Sequence, residues 1–301
     1  MAVIGIWASA GESHSGIAGR KGRRSMMRTP VVRGLEVLRR TVRGAVPWPL
    51  YVGLARGVDY AYVIRNMGVR NFLHLRRLLP PLQAASTAPV PVRVGGIKYP
   101  ILVRPGTTDA DELIHTCIRE VYGKFLPRDE VRLIVDAGAN IGNTTVWYLN
   151  RFPAATVIAI EPDENNFRLL AENCRPYGTR AIPIQAAVWP RDGEILRIIE
   201  SDSANSISVA AGLANGAGGC PSISMNHLLE LTPLRTVDIF KCDIEGAELD
   251  LFAQGADQWL PSVRNIVIET HSPECREAVL SATARLGFSH LRYREIYVLQ
   301  R

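Results

Sequence analysis

Four acidic residues after residue 130 each follow a short, mainly apolar run: Asp136, Glu161, Asp243 and Glu269. The runs before them are Leu133–Val135, Val157–Ile160, Val237–Cys242 and Ile266–Ile268. If these runs are parallel strands, their carboxyl ends meet at one edge of a sheet, where ligands bind. A single carboxylate there could simply cap a helix, but four along one edge indicate a binding or catalytic site.

A glycine turn follows the first of these runs, within Asp136–Gly142 (DAGANIG). Gly138 would let the backbone approach a ligand closely, and the turn would open a helix. The G-x-G-x-x-G spacing of a dinucleotide site is missing, and Asp136 would repel a pyrophosphate but suit an ammonium or sulfonium group. Glu161 lies 23 residues after Gly138, about where an acid binds ribose hydroxyls. S-adenosylmethionine, which is cationic, bears a ribose and has no phosphate, meets all three requirements.

Apolar runs alternate with helical segments from residue 131 onward, which predicts an α/β fold with a doubly wound, mostly parallel sheet covered on both faces. The predicted helices are Thr144–Arg151, Asn165–Cys174, Glu245–Gln254 and Pro273–Leu286. The other predicted strands are Ile182–Val188, the hairpin of Glu194–Ile199 with Ile207–Val209, and the hairpin of Val92–Val94 with Tyr99–Val103. A further helix is predicted from the cap residues Thr107-Thr108-Asp109 to about Tyr122.

The first third of the chain is far more basic than the rest. Residues 1–100 hold 16 Lys or Arg and 3 Asp or Glu, a formal charge of +13, whereas the remainder carries −7. We expect residues 1–30 to be disordered, residues 31–90 to form a basic helical arm and linker, and residues 91–301 to form the α/β domain. The arm could simply present a solvated face, or it could contact an anionic acceptor or a membrane surface. Nucleic acid is not an expected partner, because aromatic residues do not interleave with the arginines.

The composition is globular, with 47% hydrophobic and 21% charged residues, and it excludes a disordered chain or a coiled coil. No run of about 18 apolar residues predicts a membrane-spanning helix. Five widely spread cysteines without a C-x-x-C pair argue against a disulfide framework or a zinc site. They favour a reducing, cytoplasmic location, with peripheral contact at the inner membrane face through the arm left open.

Four motifs, in this order, carry a family resemblance: Val135–Thr145 (VDAGANIGNTT), Ile160–Phe167 (IEPDENNF), Gln185–Trp189 (QAAVW) and Phe240–Glu248 (FKCDIEGAE). They resemble the FkbM family of S-adenosylmethionine-dependent methyltransferases. Arg104–Asp109 (RPGTTD) resembles the segment that often precedes the first motif in that family. The resemblance covers roughly residues 95–300, and its most specific part is D-I-E-G-A-E.

The resemblance implies a class I methyltransferase (Rossmann-like) fold. It also implies methyl transfer to hydroxyl oxygens, often on sugars or polyketide-type natural products. Carried over position by position, the implied site residues are Asp136, Gly138 and Asn140 for the methionine end of the cofactor, Glu161 for its ribose, Gln185 and Ala187 for its adenine, and Asp243 near the transferring methyl.

A hydroxyl is a poor nucleophile until its proton leaves, so a base is expected. Asp243 and His271 are the candidates, although His271 could equally be a loop histidine bonded to backbone. Glu245 is expected to serve the first turn of its helix, and Lys241 to orient Asp243 through a salt bridge. A divalent metal stays open, because Asp243 and Glu269 could be ligands but no ligand spacing demands one.

The sequence therefore favours an S-adenosylmethionine-dependent O-methyltransferase that acts on a hydroxyl of a sugar, glycan or related natural product. The sequence is compatible with two other classes of protein. A nucleotide-dependent oxidoreductase is disfavoured by the missing G-x-G-x-x-G and by Asp136. A non-catalytic binding module on the same fold is disfavoured because such a module would not need the full set of acidic residues.

Overall fold

The computed structural model describes residues 63–64, 68–70, 72–73, 88–123, 126, 130–200, 207–210, 219–293 and 296–301. The disorder predicted for residues 1–30 and most of the arm predicted over 31–90 lie outside these ranges. The arm residues described up to 73 are helical, and Val63 and Phe72 are buried in one core cluster with Val92 and Ile101. Within the described ranges, no helix has the length and apolar character needed to cross a membrane.

Strands and helices alternate along most of the described chain. The strands are β1 Val90–Val92, β2 Ile101–Val103, β3 Leu133–Ala137, β4 Thr156–Glu161, β5 Ala181–Gln185, β6 Ala187–Val188, β7 Ile195–Glu200, β8 Ile207–Ala210, β9 Gly219–Ile223, β10 Ile239–Cys242, β11 Asn265–Glu269, β12 Ser289–Tyr293 and β13 Ile296–Gln300. The α-helices are α1 Asp109–Leu113, α2 Asn143–Arg151, α3 Glu164–Cys174, α4 Met225–Glu230, α5 Glu248–Ala253, α6 Ala256–Trp259 and α7 Pro273–Ala284.

A seven-stranded sheet in the order β12-β13-β11-β10-β3-β4-β5 forms the centre of the domain. The strands from β11 to β5 are parallel, and β13 runs antiparallel to both of its neighbours. The order reverses between β3 and β10, which is the switch point where a doubly wound sheet binds its ligand. The predicted doubly wound, mostly parallel sheet is confirmed.

The central strands alternate their side chains between two hydrophobic cores, one on each face of the sheet. Ile134 and Val157 belong to one core, together with apolar residues of α2 and α3. Leu133 and Ile158 belong to the other, together with apolar residues of α5 and α7. Because both faces are covered, the strands are continuous apolar runs, and this is why they could be located in the sequence.

The predicted third strand, Ile182–Val188, is wrong in its second half. The central sheet keeps only β5, which ends at Gln185, and β6 joins a four-stranded sheet of order β6-β9-β7-β8. The predicted inserted hairpin is confirmed as β7 and β8, which pair antiparallel, with Glu200 opposite Ile207. Sequence reasoning missed β9, the strand that ties this hairpin to β6.

Two helix predictions also need correction. Helix α5 begins at Glu248 rather than Glu245, because Glu245 (φ +55°) and Gly246 (φ +104°) take left-handed backbone conformations that a helix cannot include. The helix predicted up to Tyr122 is α1, which continues as a π-helical turn over Ile114–Ile118 and is followed by a separate 3-10 turn over Val121–Gly123. The first hairpin is confirmed, with β1 two residues earlier than predicted.

Candidate active site

A cleft of about 500 Å³ opens at the carboxyl ends of β3, β4, β10 and β11, at the switch point of the sheet. Ligand pockets usually have volumes of about 300–1,000 Å³, so this cleft has room for a cofactor. Of the candidate site residues discussed from the sequence, the ones that line it are Gly138, Asn140, Glu161, Ala187, Lys241, Asp243, Glu245, Glu269 and His271.

Asp136 lies beneath the cleft rather than in its wall. Its carboxylate is fully buried and accepts a hydrogen bond from Thr145 Oγ1 at 2.6 Å. Its other oxygen is 3.3 Å from Lys241 Nζ, because Lys241 stands directly opposite Asp136 in the register of β10 and β3. Direct contact of Asp136 with a cofactor is therefore not supported. Its position is that of a buried counter-ion.

Lys241 holds the glycine turn in place. Its ammonium donates to the backbone carbonyls of Ala137 at 3.2 Å and Gly138 at 2.6 Å. Burial lowers the pKa of Lys241, but the charges of Asp136 and Asp243 outweigh it and the net shift is upward. Nζ is 3.7 Å from Asp243 Oδ2, so the predicted pairing with Asp243 exists but is longer than the pairing with Asp136.

The turn itself demands glycine at position 138. Gly138 has φ +73°, and a Cβ there would lie 1.7 Å from the Asp243 carbonyl oxygen. Two residues later, Asn140 has φ +49°, and its backbone N–H donates to Glu161 Oε2 at 2.8 Å. The side-chain oxygen of Asn140 is buried and has no hydrogen-bond partner among the described residues.

Glu161 ends β4 and is 5% exposed. Besides the Asn140 amide, its carboxylate accepts from the Asp163 backbone N–H at 3.1 Å and from Asn166 Nδ2 at 3.3 Å. Burial raises the pKa of Glu161 to about 7, although these N–H groups act in the opposite direction. The carboxylate is thus held firmly in the wall of the cleft.

Of the two residues predicted to contact the adenine, one lines the cleft and the other does not. Ala187 in β6 lines the cleft. Gln185 is exposed and absent from the cleft lining, because it ends β5, the edge strand of the central sheet. A contact of Gln185 with the cofactor is therefore not supported.

Asp243 and His271 come together with two further carboxylates. His271 Nε2 is 3.5 Å from Asp243 Oδ1 and 3.4 Å from Glu245 Oε2, while Nδ1 is 3.0 Å from Glu248 Oε1. Burial lowers the pKa of His271, but the hydrogen bond and charge of Glu248, with the charges of Asp243 and Glu245, raise it to about 9. The expectation that Glu245 serves the first turn of its helix is wrong. That role belongs to Glu248, which accepts from the Ile244 and Gly246 backbone N–H groups at 3.1 and 3.0 Å.

The wall facing the strand ends comes from residues 108–122, which contribute Thr108, Glu112, Thr116 and Tyr122. The Tyr122 hydroxyl donates to Asp243 Oδ2 at 3.0 Å. Burial and then the charge of Asp243 raise the pKa of Glu112 to about 7. Sequence reasoning missed Glu112 as a site residue. The sequence predicts Tyr122 only as the end of a helix.

A clamp fastens this wall to the rest of the domain. Arg104 donates to both carboxylate oxygens of the buried Asp109, at 2.9 and 2.8 Å, and to Asn166 Oδ1 at 2.7 Å. The charge-assisted bonds to Asp109 raise the pKa of Arg104 even though burial opposes them. The RPGTTD motif is therefore a structural tie between the wall and α3.

The lining of the cleft suits a cationic, hydroxyl-rich ligand. Asn140 and Asn143 each present a buried side-chain oxygen without a partner among the described residues, and both residues line the cleft. Five carboxylates also line it, and Lys241 is the only Lys or Arg among the described lining residues. Surplus acceptors match the sulfonium, the ammonium and the ribose hydroxyls of S-adenosylmethionine, and they do not match a pyrophosphate.

Residues 136–295, more than half of the chain, match the model of the methyltransferase FkbM domain. Methyltransferase 1 of Beauveria bassiana is 25% identical over 167 residues, which span 48% of this chain and 66% of that protein. Hexuronic acid methyltransferase AglP of Haloferax volcanii is 24% identical over 198 residues, which span 61% of this chain and 79% of that protein. Among solved structures, TrmN from Thermus thermophilus has a TM-score of 0.39 at 13% identity, covering 69% of this chain and 56% of that one.

The doubly wound sheet with a cleft at its switch point is the Rossmann-like fold of the class I methyltransferases, as predicted. The chain belongs to the FkbM family of S-adenosylmethionine-dependent methyltransferases. It is therefore a methyltransferase, and membership favours this class over the oxidoreductase that the sequence had left open.

Proposed function

We propose that this protein transfers a methyl group from S-adenosylmethionine to a hydroxyl of a sugar, glycan or related natural product. The observation that carries the proposal is the group of carboxylates beside His271 at the strand ends. When bound, the cofactor supplies a methyl that its sulfonium already activates. Gly138, Asn140 and Glu161 would hold and orient the cofactor.

The acceptor oxygen would displace the methyl group from the sulfonium, and the cleft would have to place that oxygen in line with the methyl. The hydroxyl proton must leave, and Asp243 lies in the cleft wall where it can take that proton and pass it to water. General bases contribute typically about 10²–10⁴-fold. The Tyr122 hydroxyl donates to Asp243 Oδ2 and fixes the orientation of the carboxylate, so that Oδ1 faces His271.

The charge of the cleft favours a hydroxyl over a carboxylate as the acceptor. Glu112, Asp243, Glu245 and Glu269 all line the cleft and would repel an anionic group. A carboxylate acceptor would also need no base. The relative named as a hexuronic acid methyltransferase supports a sugar acceptor, because such a sugar carries hydroxyls as well as a carboxylate.

The test is a transfer assay with S-adenosylmethionine labelled in the methyl group. The acceptors are matched pairs of a hexose and the corresponding hexuronic acid, together with glycans and polyketide-type alcohols. We expect a product whose label resists mild alkali, because a methyl ether is stable where a methyl ester hydrolyses. Alkali-labile label, or a requirement for the hexuronic acid carboxylate, would contradict the hydroxyl assignment. Asp243→Asn should reduce turnover about 10²-fold or more while cofactor affinity changes little.

A further inference from the structure

The cluster at the ends of β10 and β11 places one imidazole nitrogen against two carboxylates. One ligand atom each from Asp243, Glu245 and His271 lies within 4.8 Å of the others. All three residues line the cleft, and the side chains of Asp243 and His271 are each 24% exposed, so solvent and substrate can reach them. One nitrogen and two oxygen donors form the kind of set that binds divalent first-row metals.

The partner on the other side of the ring fixes which nitrogen faces this space. Glu248 Oε1 is 3.0 Å from His271 Nδ1, and Glu248 is fully buried and accepts two backbone N–H groups. A carboxylate can only accept, so Nδ1 carries a proton. Nε2 is therefore the nitrogen that faces Asp243 and Glu245, and a metal ion bound there would replace the proton on Nε2. Metal-binding histidines are held in the same way, by a carboxylate behind the ring.

Asp243 is oriented in a comparable manner. Its Oδ2 accepts from the Tyr122 hydroxyl at 3.0 Å and is 3.7 Å from Lys241 Nζ, while Oδ1 faces His271. The two oxygens of Asp243 thus have different partners. Among the described contacts, the imidazole of His271 is the only side-chain donor near Oδ1. A divalent cation between Oδ1, Nε2 and Glu245 would be attracted by both carboxylates.

We propose that Asp243, Glu245 and His271 bind a divalent metal ion, with Glu248 as the positioning residue, and that the acceptor hydroxyl coordinates this ion. The inference rests on the proposed function for the acceptor and revises one part of it. A metal ion bound there would lower the pKa of the coordinated hydroxyl, so its proton would leave to water while Asp243 holds the metal and does not act as the base. The bond that forms to the methyl carbon and the bond that breaks at sulfur are unchanged.

The structure also revises the metal hypothesis drawn from the sequence, which paired Asp243 with Glu269. Glu269 lines the same cleft but lies outside the cluster of possible ligand atoms. It therefore provides a matched control, since Glu269→Gln removes the same charge as Glu245→Gln from the same cleft. Because Glu245 is 35% exposed, its substitution should leave the fold intact.

The experiment titrates Mn²⁺ into the full chain after chelator treatment and follows free Mn²⁺ by electron paramagnetic resonance. We expect one Mn²⁺ to bind per chain, Glu245→Gln to weaken binding at least tenfold, and Glu269→Gln to leave it within about threefold. Glu248→Gln should weaken binding by the folded protein about 10–100-fold. Absence of a stoichiometric site in the wild type, or an equal loss in the Glu245 and Glu269 variants, would overturn the inference.

Methyl transfer measured with excess chelator separates this inference from the proposed function. Transfer that persists with chelator, combined with no Mn²⁺ binding, would refute the metal site and leave hydroxyl methylation standing. Stoichiometric Mn²⁺ binding that Glu245→Gln abolishes supports the site even if every hydroxyl acceptor fails.

Discussion

Substitution of Glu161 by glutamine should weaken S-adenosylmethionine binding about ten- to a hundred-fold while the domain stays folded. Glu161 is 5% exposed, and its Oε2 and Oε1 accept N–H groups from Asn140 at 2.8 Å and Asp163 at 3.1 Å. The ribose hydroxyls would donate to the remaining lone pairs of the same oxygens. A neutral amide gives up a hydrogen bond to a charged group, worth about 1.5–3 kcal/mol.

The pKa of Glu161 adds a pH dependence with a definite sign. Burial raises this pKa to about 7 in the free protein, and the cofactor's hydroxyls need the carboxylate form. Cofactor affinity should therefore be constant above pH 7 and fall as the pH drops below it, approaching tenfold for each pH unit. Binding at pH 6 should release a proton, which Glu161→Gln should not do.

Isothermal calorimetry tests both statements. Titrations at pH 6 and pH 8 give the affinities, and two buffers with different ionisation enthalpies give the number of protons released. Glu172→Gln is the control, because Glu172 is an exposed carboxylate on α3. A folded Glu161→Gln variant that binds the cofactor like the wild type, or that still releases the proton, would refute the reasoning.

Three further outcomes are expected. Gly138→Ala should lower the free energy of unfolding by about 2 kcal/mol or more, because its Cβ would overlap the Asp243 carbonyl. Gly193 has the same φ of +73° but lies in open space, so Gly193→Ala should lower the free energy of unfolding by only about 1 kcal/mol. Thermal unfolding of both variants measures the difference. Tyr122→Phe should reduce kcat about tenfold with unchanged cofactor affinity in calorimetry, because Asp243 loses its hydroxyl donor. Replacing the arginine pair at 39–40 by glutamine in the full chain should weaken co-sedimentation with anionic vesicles at low salt by about 1 kcal/mol, or roughly fivefold, for each charge. Unchanged co-sedimentation would assign the basic arm a solvated face.

The position of the cleft could be predicted because the ends of the central strands can be recognised in the sequence. A strand covered on both faces is a continuous apolar run, and an acid marks where the run ends, as at Glu161 and Glu269. Which way such an acid points was not predictable. Asp136 turns beneath the cleft because the register of two strands sets Lys241 against it from 105 residues away, and local patterns carry no information on register.

The exchange of roles between Glu245 and Glu248 has a similar cause. Both acids sit near the start of one helix, and the sequence assigns the first of them to the helix end. The left-handed backbone at Glu245 delays the helix by three residues and turns that carboxylate to His271. Tyr122 and Asp243 are 121 residues apart, so the sequence around Tyr122 could not predict their contact.

The clamp made by Arg104, Asp109 and Asn166 joins two parts of the chain that the family match separates. The wall over residues 108–122 precedes the matched domain at 136–295, and Arg104 ties its Asp109 to Asn166 on α3, inside that domain. Residues from both sides of this boundary line the cleft, so a fragment that begins at residue 136 would lack one wall of the cleft.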